Sequence, residues 1–229
     1  MSRLPKFFTP ARAVPQTTWT ASSLWSITPK RLVILLFGLF LMGLGGAITV
    51  QSELGNPPWT VLAQGLAQQL AIPLGWAFFI VSCLVLLVWI PLRIMPGFGT
   101  LANTAVFAAS LQLGVTVIPT QENFVVSLVM VLVGILLVGF GTALYITCGL
   151  GPGPRDGWMV GIVKRTGIRI WKIRFGMEFF ALSLGYLLGG TVGIGTVLVM
   201  MLIGQTIAIS FTVLGSIPKS NSEIHIAEV

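Results

Sequence analysis

Seven glycines recur in this chain at a constant spacing of ninety-six residues. Without a gap, Gly38, Gly43, Gly45, Gly55, Gly65, Gly97 and Gly99 fall on Gly134, Gly139, Gly141, Gly151, Gly161, Gly193 and Gly195, while Pro58 falls on Pro154 and Thr100 on Thr196. Chance would give roughly one Gly–Gly match over such a window, so the chain contains an internal repeat. A duplicated chain folds as two copies of one unit. Among apolar chains this is the construction of many membrane transporters, which carry the substrate site between the halves.

The chain is apolar enough for that comparison. Of 229 residues, 55% are hydrophobic and 8% charged, against about 25% charged in soluble domains. Residues 32–52, 54–92, 94–121, 123–154 and 179–218 carry no charge, and a membrane span needs about 20 apolar residues. The net charge of +7 does not indicate nucleic acid. Arg3, Lys6, Arg12, Lys30 and Arg31 precede the first span, and Lys164, Arg165, Arg169, Lys172 and Arg174 lie between two later ones. Flanking charge of this kind orients helices with the positive side in the cytosol and can touch anionic lipid. Cys83 and Cys148 sit in apolar segments and His225 stands alone, so neither a disulfide framework nor a metal site is expected. Residues 1–31 read as a basic cytosolic tail rather than a signal peptide.

Each repeat divides into four segments, a to d. Segment a, at 32–50 and 124–147, spans. It is followed by Glu53-Leu-Gly-Asn-Pro-Pro-Trp59 in one copy and Gly149-Leu-Gly-Pro-Gly-Pro-Arg-Asp156 in the other. Pro58 and Pro154 suit the first turn of a new helix, with Asn56 available as a cap. Segment b, at 58–72 and 154–167, reaches only about 22 Å, short of the ~30 Å hydrocarbon core. It is expected to enter the membrane without crossing it. Segments c (74–92 and 173–188) and d (100–118 and 196–214) span, joined by Gly97-Phe-Gly-Thr100 and Gly193-Ile-Gly-Thr196. In these links glycine permits close backbone approach and the threonine can cap helix d.

The reading is therefore an all-α transmembrane bundle. Repeat 1 covers 32–118, a connecting loop 119–123, repeat 2 124–215 and a polar tail 216–229. Six crossings give the repeats opposite orientations and place both termini, Arg93 and Arg155 in the cytosol, with Glu122 outside. Eight crossings would move Arg93 and Arg155 outside. The positive-inside rule favours six.

Eight of the nineteen charged residues lie between Arg155 and Glu178. Trp59-Thr60 of the first copy becomes Arg155-Asp156 in the second. A helix N-terminus offers unpaired amides and partial positive charge, which Arg155 would strengthen as an anion site. Asp156 could cap the helix, balance Arg155 or take a proton, and the plain alternative is an interfacial ion pair. Arg174 and Glu178 share a helix face at i,i+4 spacing. Either a snorkelling arginine holds a carboxylate near the interface, or Glu178 carries a proton or cation. Asn103, Gln112 and Gln205 read as helix–helix hydrogen-bonding residues, and most tryptophans as an interfacial belt. The six acidic residues are too few and scattered for a paired acid–base site, so no enzyme is expected.

Gly55-Asn-Pro-Pro-Trp-Thr-Val-Leu62, Gly151-Pro-Gly-Pro-Arg-Asp-Gly157, Arg165-Thr-Gly167, Arg174 with Glu178, and Leu188-Gly-Gly-Thr-Val-Gly-Ile-Gly-Thr196 resemble the motifs of the YczE-like membrane proteins of the YczE/YyaS/YitT group. The resemblance covers about 32–215. Gly204-Gln205 stands where that group has Gly-Pro, and Thr60 where Asp is common. It implies a bacterial integral membrane protein and assigns no substrate.

The expected function is small-solute transport or export across the bacterial cytoplasmic membrane. Arg155, Asp156, Asn56 and Trp59 would bind the solute between the repeats, and Glu178 with Arg174 would couple protons or ions. No cofactor is expected, and the partners are the bilayer and a small solute, with the glycine faces of helix a as open to a second copy as to internal packing. The alternative is a non-transporting membrane scaffold or accessory factor, with its charges dispersed at the headgroups and no polar cavity.

Overall fold

A computed structural model describes residues 14–216. Arg3, Lys6, Arg12, Lys219, His225 and nearly all of the C-terminal tail lie outside the described residues. Eight helices account for most of the rest. Helix α1, Pro29–Gln51, starts at Pro29 behind Thr28, whose hydroxyl accepts from the Arg31 N–H. Helix α2, Pro58–Leu70, opens on proline and stops at Ala71 in the left-handed region. Helix α3 is Leu74–Leu92. Helix α4, Phe98–Val117, contains a π-helical turn at Asn103–Phe107. Helix α5, Phe124–Thr147, is capped by Asn123 Oδ1, which accepts from Val125 and Val126 at 3.0 and 3.2 Å. Helices α6, Pro154–Thr166, α7, Ile170–Leu187, and α8, Ile194–Gly215, complete the chain.

The repeat is visible in where helices begin. Pro58 and Pro154, Leu74 and Ile170, and Phe98 and Ile194 each start a helix ninety-six residues apart. At 13 residues each, α2 and α6 reach only about 20 Å and cannot cross a ~30 Å core. Five helices, α1, α3, α4, α5 and α8, are long and apolar enough to cross. The expected sixth, α7, has 18 residues but carries Lys172, Arg174 and Glu178.

Packing follows the same offset. Helices α1 and α5 form the central pair, α1 packs on α4 as α5 packs on α8, and α2 packs on α7 as α3 packs on α6. Each short helix therefore lies against the third helix of the other half. The contacts are reciprocal. A Cβ on Gly38 would come within 2.9 Å of the Gly141 carbonyl oxygen, and one on Gly45 within 2.7 Å of that of Gly134. Position 38 faces the counterpart of 45, and 45 the counterpart of 38, which is the self-complementary pattern of a two-fold contact. It also means that α1 and α5 run in opposite senses along their seam. These glycine faces, open to a second copy in the sequence reading, are occupied by each other.

The turn between the first and second helices of each half interlocks with the start of the fourth helix of the other, in the same reciprocal way. Gly99 N–H donates to Leu150 O and Gly195 N–H to Leu54 O, both at 2.7 Å. Gly55 and Gly151 hold φ of 105° and 118°, a conformation that needs glycine. Thr100 and Thr196 act as expected of helix starts, though not as the cap residue. Their hydroxyls sit at the third helical position and accept from the Gly97 and Gly193 N–H groups at 3.2 and 3.3 Å. Thr100 also donates to Pro152 O of the other half at 2.8 Å.

Two features break the equivalence. Helix α3 lies along α4, but α7 makes no comparable contact with α8, which leaves a gap on the second side. The described part of the N-terminal tail is not free. Trp19 Nε1 donates to Thr147 Oγ1 at 3.1 Å, Ala21 N–H to Cys148 O at 2.9 Å and Phe98 N–H to Leu24 O at 3.1 Å. Arg31 clamps the same segment through Trp19 O and Ser26 O at 2.9 and 3.0 Å.

Candidate functional site

The short helices start inside the molecule because Pro58 and Pro154 begin them directly after the interlocked turns. Both N-termini open onto one cavity of about 150 Å³. All eight helices line it: Met42, Trp59, Phe78, Asn103, Tyr145, Arg155, Glu178 and Met200 come from α1 to α8 in turn. Asp156 and Arg174 line it as well. Of the six residues expected at a binding or coupling site, the fold thus gathers five: Trp59, Arg155, Asp156, Arg174 and Glu178.

Arg155 lies over the Trp59 ring, 5.8 Å from its centroid. These two residues are each other's counterparts across the ninety-six-residue offset. Such a cation–π contact contributes about 0.5–2 kcal/mol, depending on desolvation. Trp158 packs edge-on against Trp59 at 6.1 Å. Asp156 does not pair with Arg155. The Tyr145 hydroxyl donates to Asp156 Oδ2 at 3.1 Å and accepts from the buried Gly153 N–H at 3.3 Å. Arg174 Nε meets Glu178 Oε1 at 3.1 Å, the one ion pair among the described residues. The cavity therefore combines two guanidinium groups, two carboxylates and the positive ends of two helix dipoles, with methionine and aromatic side chains between them. That arrangement can hold a small solute with a charged or strongly polar end.

The sixth expected residue, Asn56, is elsewhere. It neither caps α2, whose cap position is Pro57, nor lines the central cavity. It sits at 1% exposure in a second pocket of about 310 Å³ with Gln51, Glu53, Gln64 and Thr191. Asn56 Nδ2 donates to Gln64 Oε1 at 3.1 Å, and the Thr191 N–H donates to the same oxygen at 2.9 Å. Asn56 Oδ1 is left buried with no partner. An unmet carbonyl of this kind costs about 1–3 kcal/mol.

Sequence reasoning missed Tyr145, which lines the central cavity, and Trp89, which packs behind the start of α6. Tyr145 stands where the first copy has Thr49, and that departure from the repeat was the available signal. Trp89, grouped with the interfacial tryptophans, is buried and donates from Nε1 to Pro154 O at 2.9 Å, fixing the start of α6. Its ring fills the notch at Gly157. The counterparts of this pair are Gly185 and Val61, which meet with the large and small residues exchanged. Gln112 does serve helix packing, accepting from the Gly75 N–H at 2.8 Å.

These features define a helical membrane protein whose apolar helices surround a cavity lined by charged side chains, with Asp156 and Arg174 on its exposed side. The chain belongs to a family described as a family of unknown function (DUF6198), whose model matches residues 29–212. It is 44% identical over 207 residues to an uncharacterized protein of Haemophilus influenzae, covering 90% of this chain and 95% of that one. It is 29% identical over 175 residues to the uncharacterized membrane protein YczE of Bacillus subtilis, covering 76% and 81% of the two chains. To the uncharacterized protein YyaS of the same organism it is 26% identical over 172 residues, covering 73% and 86%. The resemblance to the YczE-like group read from the motifs is thereby met. No solved structure matches the chain.

Proposed function

We propose that this protein is a small-solute transporter or exporter of the bacterial cytoplasmic membrane, with both termini in the cytosol and its solute site between two inverted repeats. The observation that carries this reading is the convergence of Arg155, Asp156, Arg174 and Glu178 on one cavity lined by every helix. A scaffold would have had these charges spread at the headgroups around a filled interior. Inversion is supported by the opposed senses of α1 and α5 along the Gly38–Gly141 and Gly45–Gly134 contacts. Six crossings, with α2 and α6 entering from opposite faces and meeting at their N-termini, agree with that symmetry and with the positive-inside rule.

Arg155, held over Trp59, binds an anionic or polar end of the solute, and Asp156, oriented by Tyr145, faces its opposite end. Glu178, carried with Arg174 on the helix that stands off α8, couples protons or ions. Rocking of one half against the other about the glycine seam alternates access. The cavity volume, well under the ~300–1,000 Å³ of drug-sized sites, fits a small solute.

Thermal unfolding of the purified protein against a metabolite and ion library tests this reading, beside Asp156→Asn and Glu178→Gln. A ligand of the native state raises Tm with its excess over Kd. The expected result is a ligand whose stabilisation is lost in at least one variant. A library without a hit, with both variants as stable as the parent protein, would overturn it.

A further inference from the structure

The two halves build the same turn with different chemistry. Gln51, Glu53, Asn56, Gln64 and Thr191 line the pocket at the first-copy turn. Their counterparts ninety-six residues away are Thr147, Gly149, Pro152, Val160 and Met95. The one side-chain hydroxyl in that second set, on Thr147, is already bonded to Trp19 and to Leu144 O. The turn itself does not require the polar set, because its interlocking hydrogen bond is 2.7 Å in both copies. At the second-copy turn, Trp19 and Ala21 bond to Thr147 and Cys148, and Thr20 and Ala21 lie beside Gly149. At the first-copy turn there is an open pocket instead.

Hydrogen bonding fixes which atoms that pocket presents. The Thr191 N–H can only donate, so the Gln64 atom it meets is the carbonyl oxygen. The Asn56 atom donating to that oxygen must be its amide nitrogen. The unpartnered Asn56 atom is therefore an acceptor, closed off from bulk solvent. Gln51 uses its amide nitrogen on Val115 O and Ile118 O, which leaves Oε1 as its acceptor. Glu53 adds a carboxylate with no ion-pair partner among the described residues. It is held at φ 57°, a conformation that its counterpart assigns to a glycine at φ 69°.

We propose that this pocket binds a small monovalent cation, an alkali-metal ion held by the Glu53 carboxylate and Asn56 Oδ1, with Gln51 and Thr191 completing an oxygen shell. One carboxylate balances one charge. Neutral amide and hydroxyl oxygens replace water around such an ion, whereas calcium-type sites gather more carboxylate and six to eight oxygens. The site does not rest on the transport reading, since it lies at a turn apart from the central cavity.

The test is the melting temperature of the full chain in detergent, in sodium or potassium chloride against choline chloride at equal ionic strength, which removes simple screening. Alkali ions are expected to raise Tm saturably and choline not. Glu53→Gln and Asn56→Ala should each raise the half-saturating concentration about tenfold or more, while Gly204→Ala, which lines neither pocket and has nothing within 4 Å of the added atom, leaves it unchanged. Thr191→Val, close in shape, gives a further variant if Asn56→Ala does not fold, and equilibrium binding of thallous ion reads the same site without melting. The proposal is overturned if choline matches the alkali ions, if calcium alone gives the saturable response, or if the response survives the pocket substitutions.

Discussion

Tyr145 and Trp89 show how single residues position the charged groups. Tyr145→Phe removes the donor to Asp156 and the acceptor for a buried Gly153 N–H. It should lower stability by about 1–3 kcal/mol, mainly through the orphaned N–H, and weaken binding of any ligand that needs Asp156. A melting curve with and without ligand separates the two effects. A Cβ on Gly157 would enter the Trp89 ring, so Gly157→Ala should cost about 1–3 kcal/mol as overpacking. A double-mutant cycle with Trp89→Phe should give a non-zero coupling, because the two sites are in contact. Purely additive melting shifts would refute the notch.

The decisive elements are the short helices. At 13 residues each they are too short to cross a ~30 Å hydrocarbon core, and Arg155 and Asp156 stand at the start of the second. In the six-crossing arrangement, Gln69 near the end of α2 and Gln121 before α5 both lie outside. In a background with Cys83 replaced, where Cys148 is fully buried, a cysteine at 69 or 121 should react with an impermeant maleimide on intact cells. Labelling at either position only after lysis would refute the arrangement. The short helices were legible from proline position and segment length, and their convergence from the repeat. Asn56 was misplaced because proximity in sequence to Trp59 says nothing about which side of an interlocked turn a side chain takes.

For the whole molecule, the repeat makes a quantitative claim about the seam. Gly38→Ala and Gly134→Ala should each destabilise, by about 1–3 kcal/mol, because both added methyl groups meet the facing backbone or Thr49. Gly176→Ala and Gly204→Ala, in helices with nothing within 4 Å of the added atom, should be neutral or stabilising by up to ~1 kcal/mol through helix propensity. Tm values for the four variants check this, and equal losses at all four positions would contradict a glycine seam between α1 and α5.

Sequence alone determined the membrane class, the duplication, the helix starts at the paired prolines and the candidates Trp59, Arg155, Asp156, Arg174 and Glu178. All of these depend on composition, spacing and local backbone chemistry, which one chain displays directly. Tertiary structure decided what crosses between the halves. It paired α2 with α7 and α3 with α6, set Tyr145 against Asp156 and Trp89 into Gly157, and folded Trp19 and Ala21 over the second turn. It also left Asn56 Oδ1 without a partner beside Glu53. Contacts such as Trp89 with Gly157 and Trp19 with Thr147 join residues tens to more than a hundred positions apart, and no local periodicity records them. Of what crosses between the halves, the repeat anticipates only the helix pairing, since a contact of α2 with α7 implies its counterpart between α3 and α6.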